Sequence, residues 1–160
     1  MPTPIPARML SHPVHLLSLG FGSGLSPIAP GTMGTLVAIP LYWLVSGVGL
    51  GNYLLITLFA AVLGIYLCGA TARALGVHDH GGIVWDEIVG YFITMTAVPF
   101  SWQWAVAGFL LFRFFDILKP WPIRKVDLQV GGGLGIMLDD IMAGIYAWMS
   151  LQLFMLWLNQ

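Results

Sequence analysis

The 160-residue chain has the length of one domain and is unusually poor in charge. Hydrophobic residues make up 58% of it and charged residues only 8%, with a mean hydropathy of +0.87, whereas soluble domains carry roughly 25% charged residues. This excludes a typical soluble globule and a disordered chain, and the net charge of −1 offers no basic surface for nucleic acid. The single cysteine, Cys68, excludes a disulfide framework and a multi-cysteine metal site. We expect residues 1–160 to form one domain.

The few charges are bunched in one part of the chain. Of the 13 charged residues, 12 lie between Arg73 and Asp140, and Arg8 is the only one outside this range. Because this apolar chain has so few charges, their grouping indicates that they serve a common function.

Long uncharged stretches predict membrane helices, because a transmembrane helix needs about 20 mostly apolar residues. Three stretches contain no Asp, Glu, Lys or Arg: 9–72, 88–112 and 141–160. The first predicts a helical hairpin with arms at 35–49 and 53–70, around a Gly-Leu-Gly-Asn turn. The last predicts a helix over 141–158.

Residues 88–112 are expected to be interrupted. The positive-inside tendency places Arg73 and the basic residues of 119–125 on the same cytoplasmic side, which a single straight span would prevent. A break at the intervening Pro-Phe-Ser sequence would give two half-length helices, 86–98 and 102–118, that enter the membrane and return. The predicted fold class is therefore all-α: a multihelical, membrane-embedded bundle with interrupted, re-entrant antiparallel helices.

The first polar segment is the glycine-rich loop Gly-Phe-Gly-Ser-Gly-Leu-Ser-Pro-Ile-Ala-Pro-Gly-Thr-Met-Gly-Thr over 20–35. Backbone N–H groups of such a loop, next to a helix N-terminus, can hold a phosphate. Gly22, Ser23 and Thr32 are the candidates. An ordinary loop that begins a membrane helix has the same composition, and the sequence is not a P-loop because no Gly-Lys-Ser/Thr follows.

The second polar segment is His-Asp-His-Gly-Gly-Ile-Val-Trp-Asp-Glu over 78–87. Asp86 and Glu87 open an apolar helix, where acids complement the helix dipole. A Glu that leads directly into an apolar run beside a membrane is nevertheless costly, which is typical of a functional residue. The other candidates, His78, Asp79 and His80, also fit interfacial hydrogen bonding.

The third polar segment carries Arg113, Asp116 and Lys119, which are three residues apart and share one helix face. An Arg–Asp pair and a helix-terminal Lys are the structural explanation. The neighbouring phenylalanines make the setting apolar, which favours an acid that binds a metal between cations, including Arg124, that bind an anionic substrate.

The fourth polar segment is a glycine run with Gly133 and Gly135, followed by Asp139 and Asp140. Adjacent residues on a helix point about 100° apart, since there are 3.6 residues per turn. We therefore expect the two acids to have different roles, such as a metal ligand and an orienting partner.

Carboxylates without a thiol cluster suit a hard cation such as Mg²⁺, which uses a few carboxylates together with substrate phosphate. The residues therefore indicate membrane-embedded phosphate chemistry on an amphiphile. They also permit a small ion-coupled transporter that uses intramembrane carboxylates.

The four segments, in this order and spacing, closely resemble the motifs of the phosphatidylglycerophosphatase A family. The resemblance implies a Mg²⁺-dependent, multi-pass phosphatase of the bacterial cytoplasmic (inner) membrane with its active site facing the cytoplasm. Its substrate would be phosphatidylglycerophosphate in the lipid bilayer, hydrolysed to phosphatidylglycerol and inorganic phosphate.

The resemblance covers the acids Asp79, Asp86, Glu87, Asp116, Asp139 and Asp140 and the cations Arg113 and Lys119, and we assign roles to the candidate residues from their charge. The metal ligands would be Asp86, Glu87, Asp116 and Asp139 or Asp140. The terminal phosphate would be held by Arg113, Lys119 and Arg124 with the loop residues Gly22, Ser23, Thr32, Gly133 and Gly135. His78, Asp79 or His80 would move the proton. Direct attack by water and a covalent phospho-aspartate both fit this set.

Overall fold

A computed structural model describes residues 5–158, and every regular element in that range is a helix. Two short 3₁₀ segments, Ala7–Ser11 and Gly20–Leu25, flank the first α-helix. The α-helices are α1 (Pro13–Ser18), α2 (Pro30–Val45), α3 (Leu50–Leu75), α4 (Trp85–Thr94), α5 (Trp102–Leu118), α6 (Ile123–Gln129) and α7 (Gly132–Leu158). The all-α prediction is confirmed.

Two helices, α3 and α7, are long and apolar enough to cross a membrane, with 26 and 27 residues and mean hydropathies of 2.2 and 1.6. Their outward surfaces are rich in large apolar side chains, among them Leu58, Phe59 and Leu153, which are exposed by 61–68%. Contiguous exposed apolar surface of this kind is typical of a lipid-facing protein.

Both helices expected in the first uncharged stretch form, with other bounds, at 30–45 and 50–75, and each packs mainly on helices other than its neighbour in the chain. Helix α2 begins at Pro30, where proline suits the first helical position, and α3 continues to a left-handed Gly76 that caps it. The prediction for α7 was wrong at its start, because the helix begins at Gly132 and not at 141. The glycines at 132, 133 and 135 lie within this helix and do not end it. At Gly133 the absence of a side chain lets the helix pack directly on the α3 backbone.

The uncharged stretch 88–112 contains two helices, α4 and α5, with a break at the expected place. Helix α5 starts after Ser101, whose hydroxyl accepts a hydrogen bond from the Trp104 backbone N–H. Helix α4 ends at Thr94, four residues before the predicted boundary. Ala97, in the turn that follows, has a left-handed φ of 59° and cannot continue a helix.

Helix α4 lies at the centre of the bundle and contacts α2, α3, α5 and α7. Glycines allow the closest approach, because a Cβ on Gly144 of α7 would collide with the Gly90 carbonyl of α4. At the far end of α4, the Tyr53 hydroxyl donates to the Phe92 carbonyl and the Tyr42 hydroxyl to the Val98 carbonyl, each at 2.5 Å. These bonds satisfy carbonyls that have no helical partner inside an apolar body.

The Tyr91 hydroxyl of α4 donates to the Ala105 carbonyl of α5 at 3.0 Å, and Gly90 packs against Phe112. The first turn of α4 and the last turns of α5 are therefore at the same end of the bundle. We call this end, which also carries the starts of α2 and α7, the polar end.

Candidate functional site

Three buried carboxylates meet at the polar end. Asp86 and Glu87 come from the first turn of α4, and Asp140 comes from the third turn of α7. One oxygen of each lies within 4.8 Å of the others, and the three residues are exposed by 9% or less. We call them the carboxylate trio. Three like charges so close together and so far from water repel one another unless a cation or protons neutralise them.

The trio has oxygen atoms available for a ligand. Asp86 Oδ1 and Glu87 Oε2 are buried and have no hydrogen-bond partner within residues 5–158. A buried carboxylate oxygen without a donor is costly. Because the ligand set consists only of oxygen atoms, it fits a hard cation such as Mg²⁺ better than a thiol-preferring metal.

Arg113 joins α5 to the trio. Its Nη1 atom lies 3.8 Å from Glu87 Oε1 and forms a closer ion pair with Asp116, one turn further along α5. Asp116 also interacts electrostatically with Asp140. The expected shared helix face is therefore present, and it turns both residues towards the trio.

The start of α2 closes another side of this site. A Cβ on Gly31 would overlap the Glu87 carboxylate and lie 3.1 Å from Arg113 Nη1, so only glycine allows this approach. The backbone N–H groups of Gly31 and Thr32 belong to the first turn, which has no intrahelical acceptors. A helix N-terminus thus faces the same space as the guanidinium and the carboxylates, an arrangement suited to an anion beside a cation.

Lys119 has protein partners of its own. Its ammonium group lies 2.6 Å from Asp139 Oδ2 and 3.1 Å from Asp127 Oδ2. Burial lowers the pKa of Lys119, but the hydrogen bonds and charges of Asp139 and Asp127 more than offset this effect and raise the pKa above its usual value. Asp139 and Asp140 are therefore separated: Asp140 belongs to the trio, and Asp139 holds Lys119.

Comparison with known proteins shows the family of the chain. The family profile described as "Phosphatidylglycerophosphatase A" matches residues 16–155. The chain belongs to the phosphatidylglycerophosphatase A family. Over 137 residues it is 55% identical to the phosphatidylglycerophosphatase A of Escherichia coli K12, covering 85% of this chain and 80% of the relative.

Two further relatives widen the comparison. The phosphatidylglycerophosphatase A of Haemophilus influenzae is 53% identical over 146 residues, 90% of each chain. A Bacteroides thetaiotaomicron protein, provisionally named a phosphatidylinositol-3-phosphatase, is 42% identical over 82% of this chain and 87% of its own. No solved structure matches. The resemblance seen in the sequence is confirmed, and nothing in these relatives supports an ion-coupled transporter.

In this member of the phosphatidylglycerophosphatase A family, three further candidate residues lie in the loop before α4. His78 packs against Gly131, and Asp79 is exposed in the loop before α4. The His80 Nδ1 atom accepts a hydrogen bond from the Gly82 backbone N–H at 3.0 Å. The three residues share a loop that leads into Asp86 and Glu87, and their roles stay predictions.

The glycine candidates serve packing in the described structure. Gly22 and Ser23 belong to a 3₁₀ loop whose Gly24 lies directly against the Gly82 carbonyl. Gly133 lies on the Ile65 carbonyl of α3, and Gly135 lies on the Val130 carbonyl. Arg124 is exposed on α6. Substrate binding by these residues stays a prediction.

Gly31, which makes the direct approach to Glu87 and Arg113, was not among the candidates from the sequence. A signal for it was present in the sequence. Gly31 directly follows Pro30 at the start of an apolar helix, a position where a residue without a side chain exposes first-turn N–H groups.

Proposed function

We propose that the protein hydrolyses the terminal phosphomonoester of phosphatidylglycerophosphate and releases phosphatidylglycerol and inorganic phosphate. One observation carries this proposal: three buried carboxylates within 4.8 Å of one another face a guanidinium and a helix N-terminus. Carboxylates beside anion-binding groups are what a metal-assisted phosphatase needs. The choice of substrate rests on the names of two relatives, both called phosphatidylglycerophosphatase A.

The trio would hold Mg²⁺, with Asp116 as a further ligand or as the partner that orients Arg113. The unpartnered oxygens of Asp86 and Glu87 support this assignment. When bound, the cation would neutralise phosphate charge and act as a Lewis acid. Asp139 would take the orienting role, because Lys119 already occupies one of its oxygens.

The terminal phosphate would lie between Arg113 and the first turn of α2. Arg113 has a buried Nε–H without a partner within the described range, so the guanidinium retains a donor for an oxyanion. The N–H groups of Gly31 and Thr32 would donate from the opposite side. These donors would stabilise the charge that develops on the phosphoryl oxygens during transfer.

In the reaction a water oxygen attacks phosphorus, the bond from phosphorus to the glycerol oxygen breaks, and that oxygen takes a proton. We assign the proton transfer to the loop of His78, Asp79 and His80, which leads directly into the trio. A carboxylate of the trio or Asp116 would instead be the nucleophile in a covalent route. Hydrolysis of a substrate made chiral at phosphorus with oxygen isotopes separates the two routes, because direct attack by water inverts the configuration and two successive displacements retain it.

The polar end would face the cytoplasm, and α3 and α7 would cross the inner membrane. Arg73, Lys119, Arg124 and Lys125 lie at the polar end or in the loops beside it, which agrees with the positive-inside tendency. The α4–α5 pair would enter the membrane and return, since the start of α4 and the end of α5 meet at the polar end, where Arg113 lies beside Glu87.

The test is phosphate release by the purified protein in detergent micelles. Phosphatidylglycerophosphate should be hydrolysed faster than phosphatidic acid or phosphatidylinositol 3-phosphate, two lipids that also carry a phosphomonoester. Equal or faster release from either comparison lipid would overturn the substrate assignment, and absence of release from all three would overturn the proposed activity.

A further inference from the structure

An apolar cleft lies on the outer surface of the bundle, far from the polar end. Its cavity volume is about 350 Å³ and its lining residues are Ile39, Pro40 and Trp43 of α2 with Phe100 and Trp102 at the start of α5. All five are apolar. Trp43 is exposed by 57% and Trp102 by 68%, so the cleft opens at the outer surface of the protein.

The cleft and the candidate site belong to the same pair of helices. Gly31 of α2 and Arg113 of α5 meet at the site. The cleft begins eight residues further along α2, at Ile39, and eleven residues back along α5, at Trp102. At 1.5 Å per residue these lengths are about 12 and 17 Å. The cleft is therefore about half of a roughly 30 Å hydrocarbon core away from the site.

Helix α4 lies behind both helices. Tyr42 of α2 packs edge-on against Tyr91 of α4 at 6.1 Å, and Tyr91 also donates its hydroxyl to Ala105 of α5. Helices α2 and α5 thus each pack on α4, and they also contact one another. Pro40 lines the cleft and has no N–H to complete the helical bond to Leu36.

We infer that this cleft binds an acyl chain of the lipid substrate while the phosphate lies at Gly31 and Arg113. The inference rests on the proposed function and extends it to the hydrophobic part of the substrate. The apolar lining suits methylene groups, and the distance from the site matches one leaflet. The aromatic walls pack against such a chain without fixing its length.

The first test compares two substrates with the same phosphomonoester: long-chain phosphatidylglycerophosphate and its deacylated, water-soluble head group. Ile39→Trp fills the cleft. We expect it to lower kcat/KM for the long-chain lipid at least fivefold more than kcat/KM for the head group, mainly through KM. The control is Leu44→Trp, an exposed apolar position on α2 outside the cleft, which should leave the ratio as in the wild type.

The second test does not depend on Ile39→Trp retaining its fold. A phosphatidylglycerophosphate with a photoreactive diazirine in the middle of one acyl chain should label peptides that contain residues 39–43 or 100–102 of the wild-type protein, and excess unlabelled substrate should compete. Trp102→Ala, which widens the cleft, should lower this labelling several-fold.

Two results would overturn the inference. These are equal losses with both substrates in Ile39→Trp, and labelling that is confined to other peptides or that excess unlabelled substrate does not reduce. Wild-type protein that releases phosphate from the long-chain lipid but fails these tests would leave the proposed function intact. Wild-type protein that releases none would overturn both.

Discussion

Arg113 Nη1 of α5 lies 3.8 Å from Glu87 Oε1 of α4, although 25 uncharged residues separate the two in the sequence. The contact means that the chain leaves the site after Glu87, turns at 95–101 and comes back. A straight span over 88–112 would have placed the two residues at opposite ends of the bundle. Charges that are distant in the sequence can form one site only because of this return.

The carboxylate trio should be essential for activity and unfavourable for stability. We predict that Glu87→Gln lowers phosphate release more than 100-fold, because a neutral amide binds a divalent cation poorly. In chelator the same change should leave the melting temperature unchanged or raise it, since it removes one of three repelling buried charges. Asp127→Asn, an acid outside the trio, is the control for activity. Activity above one tenth of the wild type in Glu87→Gln would contradict the assignment.

Arg113 should act through the planar arrangement of its guanidinium N–H groups and not through charge alone. Arg113→Lys keeps the positive charge but loses the second donor direction that phosphate and carboxylate both use. We predict a fall in kcat/KM of about 100-fold, the lower end of the loss that removal of one transition-state donor causes. Steady-state kinetics on phosphatidylglycerophosphate provides the measurement, and kinetics like those of the wild type would refute this role.

The ion pair of Lys119 and Asp139 should contribute to stability. Lys119→Met leaves the Asp139 carboxylate buried without its cation, so we predict a loss of about 1–3 kcal/mol in unfolding free energy. The double variant Lys119→Met/Asp139→Asn should recover part of this loss, because no unpaired charge remains. Thermal unfolding in detergent measures both. Additive losses in the double variant would show that the two residues are not coupled.

The crossing of α4 and α7 should tolerate no side chain at Gly144. A Cβ at this position would meet the Gly90 carbonyl, which a helix backbone cannot move aside. We predict that Gly144→Val costs at least about 1–3 kcal/mol, as overpacking of a close contact does. Gly47→Ala is the matched control, since a Cβ there would have no neighbour within 4 Å, and it should unfold at the wild-type temperature.

The sequence indicated much of this arrangement, because membrane helices and the charges between them follow strong local rules. Uncharged length predicted α3, and the Pro-Phe-Ser sequence predicted the break before α5. The start of α7 was missed because consecutive glycines normally indicate a loop. Here they are required by the close contact of Gly133 with α3, a tertiary feature that local propensity does not contain.

The candidate acids could be found from the sequence, but their grouping could not. Asp139 and Asp140 are equivalent as neighbouring acids, and only the position of Lys119 at the end of α5 separates them. Lys119 was expected to bind phosphate, whereas the structure pairs it with Asp139 and Asp127. Such pairing depends on how α5, α6 and α7 pack, and the spacing within one segment does not predict it.

In our proposal the carboxylate trio holds a divalent cation, and hydrolysis depends on this cation. The most direct test of this proposal is phosphate release from phosphatidylglycerophosphate by wild-type protein that has first been treated with chelator and is then titrated with Mg²⁺. We expect no phosphate release in chelator and a saturable rise in the rate of release with added Mg²⁺. Release at the full rate in the presence of chelator would contradict the proposal.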